Sequence, residues 1–243
     1  MKLIITGATG TAGLNVYRAA LADPAISKVT LLQRRPMPEW AVLPPNAASK
    51  TETIIHSDFL SYPPDITSRL AQHDACVWAM GKSAVGMSEA DYTKLTYEYP
   101  MAFVKAITDA GVNKGRKEGE EFRFVYFSGE HADPTQKSRQ MWAKVKGRTE
   151  TDLISFAQNT PGFAAHIMRP AYFHSSFKYP ADGPNQRGKL TYLDRVMGPT
   201  FSFLSPSLYI PVETLGKVAV EIAKGRWKDT ILFRNKMLRE LGL

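Results

Sequence analysis

A hydrophobic segment that runs directly into a glycine-rich loop is the feature that most constrains this chain. Leu3-Ile4-Ile5-Thr6 is typical of a buried β-strand, and Gly7-Ala8-Thr9-Gly10-Thr11-Ala12-Gly13 follows it at once. A helix-length apolar segment then continues from Ala12 to Ala22. A strand, a glycine turn and a helix in this order open a βαβ unit. We therefore expect an α/β domain built around a parallel sheet.

The spacing of the glycines in this loop predicts a ligand. Gly7 suits the tight turn, Gly10 a close backbone approach to a pyrophosphate, and Gly13 close packing of the helix on the sheet. The first turn of the helix offers free N–H groups and a positive dipole end to phosphates. We place a dinucleotide on the loop, in contact with Gly7, Thr9, Gly10, Thr11, Ala12 and Gly13. The alternative, a glycine turn without a cofactor, is disfavoured by the position of the loop directly after the first strand.

The rest of the chain alternates strand-like and helix-like segments. The predicted strands are Lys2 to Thr6, Lys28 to Gln33, Thr51 to His56, Asp74 to Met80, Phe122 to Ser128, Phe163 to Arg169 and a short one at Leu208 to Ile210. The predicted helices are Ala12 to Ala22, Ser88 to Ala110, Lys137 to Asn159, Val212 to Lys224 and a last turn at Met237 to Leu241. This pattern predicts one Rossmann domain over residues 1–243, a doubly wound parallel sheet that binds ligand at the carboxyl ends of its strands. Residues 170–243 are expected to add a small substrate-side lobe.

The end of the second strand indicates which dinucleotide is bound. An NAD site places Asp or Glu there to accept a hydrogen bond from the ribose 2′-hydroxyl. This chain has Gln33-Arg34-Arg35 instead, and two guanidinium groups can bind a 2′-phosphate bidentately. We therefore expect NADP(H), contacted by Arg34 and Arg35. The alternative is an exposed basic turn that leads into the proline-rich loop Pro36 to Pro45.

Two further strand ends carry candidate cofactor contacts. Asp58 and Phe59 follow the third strand and could place a carboxylate and a ring near the adenine. Met80, Gly81 and Lys82 end the fourth strand, where Gly81 would let the backbone approach the ribose or nicotinamide half. Lys82 is equally well explained as a solvated charge.

Composition excludes several other classes of protein. The formal net charge of +8 comes from scattered residues, and the densest basic cluster, Asn113 to Lys117, is followed by three glutamates, so we expect no nucleic-acid partner. The single cysteine, Cys76, lies in an apolar run and predicts a buried thiol in a reducing compartment. No apolar stretch approaches the about 20 residues of a membrane span, and a strand from Lys2 leaves no room for a leader, so we expect a cytosolic protein without membrane or metal.

The chain resembles the atypical or extended short-chain dehydrogenase/reductase superfamily, notably its NmrA-like and Tat-interacting-protein-like NAD(P)-binding branch. The glycine loop is specific to the superfamily. Lys-Gly-x-x-Glu at Lys146 to Glu150 narrows the resemblance to that branch. The segments that carry the resemblance are Thr6 to Gly13, Gln33 to Arg35, Val125 to Ser128, Val145 to Glu150, Met168 to Pro170 and Ile210 to Glu213. The resemblance also implies that Pro170 contacts the cofactor.

The resemblance implies a catalytic arrangement that this chain has only in part. Active members use Tyr-x-x-x-Lys on a helix and a serine at the end of the preceding strand. Ser128 and Lys146 match the serine and the lysine, and the lysine is expected to contact the ribose hydroxyls. The tyrosine position, four residues before Lys146, is Trp142. An indole only donates hydrogen bonds and cannot exchange a proton at neutral pH, so the usual proton relay is absent.

Another group could replace the missing tyrosine. The candidates near the same edge of the sheet are His131, Glu130, Tyr92, Tyr97, Tyr172 and His174. His131 follows Ser128 closely and can titrate near neutral pH, so we name it with Ser128 and Lys146 as a catalytic candidate. Trp142, Tyr172 and His174 are expected to line a pocket for an apolar substrate.

Three functions remain open from the sequence. The first is an NADPH-dependent oxidoreductase with a relocated acid, acting on an apolar carbonyl or enone. The second is an NADP(H)-sensing regulator or scaffold, as the NmrA-like resemblance implies. The third is a non-redox enzyme, such as an isomerase or cyclase, on the same fold. A small-molecule substrate is the expected partner, and a homodimer or a protein partner stays open.

Overall fold

One sheet of seven parallel strands organises the chain in the computed structural model, which describes residues 1–117, 119–188, 194–195 and 208–242. The strands are β1 Lys2–Thr6, β2 Lys28–Gln33, β3 Thr51–Ile55, β4 Ala75–Trp78, β5 Phe122–Phe127, β6 Phe163–Arg169 and β7 Leu232–Arg234. Their order is β3-β2-β1-β4-β5-β6-β7, and it reverses between β1 and β4. The predicted doubly wound Rossmann sheet is confirmed, with its crevice at the carboxyl ends of β1 and β4.

The strands differ from the prediction in two places, both in the last third of the chain. β7 was not predicted because its three residues, of which only Phe233 is buried, are too few to show a period. The strand predicted at Leu208 to Ile210 is a single bridge, in which Tyr209 pairs with Tyr172. Both segments lie beside partners that are distant in sequence, so local pattern does not indicate their pairing.

Helices cover both faces of the sheet. They are α1 Thr11–Ala22, α2 Ala47–Lys50, α3 Pro64–Leu70, α4 Glu89–Thr93, α5 Tyr99–Asp109, α6 Met141–Gln158, α7 Asp182–Arg187, α8 Val212–Ala223 and α9 Asn235–Leu241. The helix predicted from Ser88 to Ala110 is interrupted by a π-helical turn at Lys94–Glu98, which separates α4 from α5. The helix predicted from Lys137 begins later because the Asp133 carboxylate accepts the Ser138 N–H and holds the preceding residues in a turn.

The helix α1 is buried between the sheet and α8. A Cβ atom on Gly216 of α8 would lie 2.6 Å from the Asn15 carbonyl oxygen, so a glycine is required for this close approach. On the opposite face of the sheet, aromatic rings around Trp78 and Phe103 form a second core with α5 and α6. Because α1 is held on several sides, the loop before it has a fixed position.

Two elements of the predicted C-terminal lobe lie in the main domain. Helix α8 packs on α1, and β7 extends the sheet, so both belong to the main domain. The described part of the lobe is residues 171–188, 194–195 and 208–211. It is attached to α1 by Arg18 and Asp182, whose side chains are 6% and 0% exposed and meet in a bidentate ion pair. Arg18 also stacks on the Tyr179 ring, 3.5 Å from its centroid.

Candidate dinucleotide site and catalytic groups

The glycine loop is held in the geometry that its sequence predicts. Gly7 has φ +69°, and a Cβ atom there would lie 2.5 Å from the Ala79 carbonyl oxygen at the end of β4. A Cβ atom on Gly13 would lie 2.1 Å from the Gly7 carbonyl oxygen. Both distances are far below van der Waals contact, so the first and third glycines are required by the fold of the loop itself.

The middle of the loop faces outward at the start of α1. Thr9 and Gly10 are exposed, and a Cβ atom on Gly10 would approach only the Gly7 carbonyl oxygen, at 3.3 Å. Gly10 is the N-cap of α1 and has no side chain to accept the N–H groups of Thr11 and Ala12. These donors and the positive end of the helix dipole suit the phosphate that the sequence predicts there.

The end of β2 holds one buried amide and two exposed cations. Arg34 and Arg35 are exposed at the predicted edge of the sheet. Gln33 is 6% exposed, and neither its Oε1 nor its Nε2 has a hydrogen-bond partner among the described residues. In the sequence Gln33 stands out only as the absence of a carboxylate, and its burial becomes visible only in the fold.

The prediction that the Phe59 ring contacts adenine was wrong. Phe59 is 0% exposed, and its ring packs edge-on against Trp78 with centroids 6.2 Å apart. The ring is part of the core and offers no surface to a ligand. Asp58 is exposed, and its Oδ1 accepts the Leu60 N–H at 3.1 Å, so it shapes the turn after β3.

The residues after β4 lie along the open edge of the sheet. Gly81 and Lys82 are exposed, whereas Met80 is half-buried against the second core. A Cβ atom on Gly81 would meet no atom within 4 Å, so packing within the protein does not require glycine there. Pro170, after β6, is buried, and its carbonyl oxygen accepts the Glu130 N–H at 3.0 Å.

Ser128 and Lys146 lie together, as predicted, at the end of β5. Ser128 is 7% exposed, and its hydroxyl has no partner within the described ranges. The Lys146 Nζ donates to the carbonyl oxygens of Phe127 at 3.0 Å and Ser128 at 3.1 Å. Burial lowers the pKa of Lys146 to about 8, although the nearby Glu150 carboxylate opposes the shift. This lysine can therefore both hold and release a proton near neutral pH.

Trp142 lies on the same face of α6 as Lys146, one turn earlier. A Cβ atom on Gly129 would be 3.7 Å from the Trp142 ring and 3.8 Å from the Lys146 side chain. Helical spacing thus places the indole next to the lysine, where the resemblance places a tyrosine. One turn later, Glu150 is 2% exposed, and its Oε1 accepts from the Arg169 Nε at 2.9 Å. This ion pair raises the pKa of Arg169 and satisfies the carboxylate nearest to the lysine.

Most of the other candidate acids have structural roles. Glu130 accepts from the Arg234 Nε and the Asn235 N–H, both at 2.9 Å, so its carboxylate caps α9. Tyr97 donates to Asp152 at 2.8 Å, and Tyr92 is 2% exposed. His131 is exposed on the turn after Ser128.

The rings of the lobe pack mainly on each other. His174 is 5% exposed, and its Nε2 lies 3.1 Å from the Tyr209 hydroxyl. Its ring stacks on Phe177, with centroids 4.2 Å apart. The Tyr172 hydroxyl donates to the Asp194 carboxylate. Burial, together with this carboxylate, raises the pKa of Tyr172. Neighbouring rings and hydrogen bonds enclose His174, and its place in a substrate pocket stays a prediction.

A cavity of about 270 Å³ is lined by residues of the lobe. Ser175, Phe177 and Asp194 contribute to its wall. The Ser175 hydroxyl is 3.5 Å from that of Thr11, and the Gln186 amide donates to the Thr9 carbonyl oxygen at 3.3 Å. The lobe therefore borders the predicted phosphate site.

Among the described residues the structure has neither a metal-binding cluster nor a membrane-spanning helix. In that part of the chain, no group of three or more His, Cys, Asp or Glu side chains is arranged to hold a metal ion. None of the helices there combines the length and apolar character needed to cross a bilayer.

Curated relatives resemble the chain at low identity, and no family model matches it. The chain is 26% identical to "Protein FMP52, mitochondrial" of Candida albicans over 245 residues, which covers 96% of this chain and 93% of that protein. It is 28% identical over 155 residues to "Leucinostatins biosynthesis cluster protein T" of Purpureocillium lilacinum, covering 63% of this chain. That match spans 51% of the relative, so the chain corresponds to about half of its length. The relatives from Candida albicans and Emericella nidulans are named as mitochondrial proteins, so the cytosolic location stays a prediction.

Solved structures share the fold over nearly the whole chain. The UDP-glucose 4-epimerase of Stenotrophomonas maltophila, solved with bound NAD, superposes with TM-score 0.70 at 15% identity over 96% of this chain and 76% of that one. The 3-oxoacyl-[acyl-carrier protein] reductase of Brucella melitensis, in complex with NAD, gives TM-score 0.66 at 12% identity over 98% and 96%. This chain therefore has the Rossmann fold that short-chain dehydrogenases/reductases and nucleotide-sugar epimerases share.

Proposed function

We propose that this protein binds NADP(H) and reduces an apolar carbonyl or enone with a proton relay that lacks tyrosine. The observation that carries the proposal is a pair of buried, unpartnered polar side chains on either side of the glycine loop. The Gln33 amide lies at the end of β2 and the Ser128 hydroxyl after β5. Buried polar groups are nearly always hydrogen-bonded, so unpaired ones along a binding edge indicate a polar ligand. Fold neighbours solved with NAD support a dinucleotide as this ligand.

The residues present fit a dinucleotide along this edge. The N–H groups of Thr11 and Ala12 would hold the pyrophosphate, and Arg34 the 2′-phosphate. Lys146, with two backbone acceptors already in place, retains a third N–H that can bind a ribose hydroxyl or a substrate oxygen. When bound, the dinucleotide supplies the hydride.

The protein must supply the proton that the alcohol product requires. Ser128 can donate a hydrogen bond to the carbonyl oxygen of a substrate and hold it in place. Lys146, with its lowered pKa, is the titratable group next to Ser128, and we assign the proton to its Nζ. We prefer it to His131 because the histidine is exposed on the surface turn.

This assignment predicts the pH dependence of turnover. Lys146 donates only while it is protonated, so kcat/KM for NADPH oxidation should be constant below a pKa of about 8 and fall above it. The fall should be about tenfold per pH unit. The measurement is a rate profile from about pH 6 to 10 with the best substrate from a panel of quinones, aldehydes and enones. Turnover that is lost in His131→Gln would transfer the role to the histidine.

Replacing the indole should restore the usual acid. Trp142→Tyr places a phenol one helical turn before Lys146, and we expect NADPH-dependent reduction to rise by about a hundredfold, the lower range of general acid catalysis. Trp142→Phe is the matched control, because it replaces the indole with a smaller ring and adds no hydroxyl. Equal gains in the two variants would show that pocket size, not a missing acid, limits the rate.

The indole at position 142 also favours a second candidate function. A protein that binds NADP(H) and senses its redox state, as in the NmrA-like branch, needs no proton donor. Such a regulator would oxidise no NADPH with any member of the substrate panel. It would bind NADPH and NADP+ with clearly different affinities, whereas turnover with similar affinities supports the enzyme.

A further inference from the structure

The lobe contacts the glycine loop on both sides of Gly10. The Gln186 amide of α7 donates to the Thr9 carbonyl oxygen at 3.3 Å, and the Ser175 hydroxyl lies 3.5 Å from that of Thr11. Thr9 and Thr11 are the chain neighbours of Gly10, the N-cap of α1, where the sequence predicts the diphosphate. The lobe therefore flanks the predicted phosphate site on two sides.

A second observation at this contact points to a ligand. The Gln186 Oε1 is buried and accepts no hydrogen bond among the described residues, although the Nε2 of the same amide is engaged. Buried polar atoms are nearly always paired, so an open acceptor beside the glycine loop indicates a donor from outside the chain. Diphosphate oxygens at neutral pH only accept hydrogen bonds, whereas ribose hydroxyls also donate. The open acceptor therefore suits a ribose hydroxyl next to the diphosphate.

The lobe is held strongly at a different point. Arg18 lies seven residues after Thr11 on α1, two helical turns away, so both residues lie on the helix face that contacts the lobe. The Arg18 guanidinium makes the buried bidentate pair with Asp182 and stacks on Tyr179. Breaking a buried ion pair costs several times what one neutral hydrogen bond contributes. The contacts at the glycine loop are therefore the weak end of the attachment, and those at Arg18 are the strong end.

We propose that the lobe is a lid on the bound dinucleotide, anchored at Arg18 and opened at the glycine loop. This proposal rests on the proposed function. In the closed position Gln186 accepts from a ribose hydroxyl, and Ser175 borders the diphosphate. In the open position both contacts are lost, while the ion pair keeps the lobe on α1. The dinucleotide enters and leaves only through the open position.

A disulfide across the weak contact tests the lid directly. With Thr11→Cys and Ser175→Cys in one chain, two sulfur atoms replace hydroxyl oxygens that are 3.5 Å apart, a separation from which a disulfide can form. The chain's own cysteine, Cys76, is 0% exposed, and burial raises its pKa, so it stays out of the reaction. The same variant is compared oxidised and reduced, so that the effect of the two substitutions themselves cancels.

The measurement is the rate of NADPH binding and release, followed in a stopped-flow instrument by the fluorescence of the reduced nicotinamide. We expect the oxidised variant to bind and release NADPH at least about tenfold more slowly than the reduced variant. A change in both rates indicates a lid, because loss of a contact alone changes mainly the release rate. Equal rates in the two forms, or a pair of cysteines that does not cross-link under an oxidant, would overturn the lid.

Gln186 gives a second readout at the same contact. Gln186→Met keeps the length of the side chain and removes the acceptor, so NADPH release should become about tenfold faster. Gln158→Met is the matched control: Gln158 ends α6, which returns between parallel strands, so its end lies at the opposite edge of the sheet. The control should leave both rates unchanged. An unchanged release rate in Gln186→Met would overturn the contact between Gln186 and the dinucleotide.

The outcomes distinguish the lid from the function on which it rests. If the unmodified protein binds NADPH and the oxidised variant exchanges it as fast as the reduced one, the lid is overturned and the proposed function stands. If the unmodified protein binds none of the dinucleotides, both are overturned.

Discussion

Gly13→Ala is expected to weaken dinucleotide binding severely, although it adds a single methyl group. The new Cβ atom would lie 2.1 Å from the Gly7 carbonyl oxygen and 2.6 Å from its carbonyl carbon. The backbone of the loop must move to relieve this overlap. Moving it redirects the N–H groups at the start of α1, and the loss of two hydrogen bonds to a charged phosphate should weaken NADPH binding by at least about a hundredfold.

The measurement is NADPH titration of the purified variant, with its melting curve recorded beside it. Ile107→Ala is the control for general destabilisation, since it removes a fully buried side chain in α5, far from the loop. It should lower the melting temperature and leave the affinity of the folded protein unchanged. Normal NADPH affinity in Gly13→Ala would contradict the assignment of the loop to the pyrophosphate.

Asp182→Ala is expected to produce the largest loss of stability among the substitutions considered. It leaves the Arg18 guanidinium, 6% exposed, without its carboxylate. Removing one partner of a buried ion pair typically costs about 3–5 kcal/mol. In a chain of this size that corresponds to a drop in melting temperature of about 6–20 °C. Hydrogen exchange should show the first loss of protection in the lobe around α7, which this pair attaches to α1.

A double variant separates the ion pair from general damage to the lobe. Replacing a buried pair by apolar residues of similar size is often neutral, so Arg18→Met with Asp182→Leu should recover most of the lost stability. A cost below about 1 kcal/mol for Asp182→Ala would mean that the pair is accessible to water, as exposed pairs are. That result would contradict the attachment of the lobe through α1.

Much of the sheet could be predicted because its strands are short runs of branched and aromatic residues between clear turns. The limits of β1, β2 and β6 agree with the prediction residue for residue. The grouping of Ser128, Trp142 and Lys146 also followed from local rules. A residue after a parallel strand lies at the carboxyl edge, and residues four apart share one face of a helix.

What could not be predicted depends on burial by distant segments. Phe59 follows a strand and could equally face a ligand or the core, and only the packing of Trp78 against it decides. His174 is enclosed by Phe177 and Tyr209, which no local pattern links to it. The unsatisfied amide of Gln33 is likewise a property of the folded neighbourhood.

Calorimetric titration with NADPH, NADP+, NADH and NAD+ shows whether the β1–α1 loop binds NADP(H). We predict one site per chain that prefers the phosphorylated dinucleotides by at least about tenfold at low salt, because the exposed arginines then act unscreened. Binding of none of the four would mean that the loop is not a dinucleotide site.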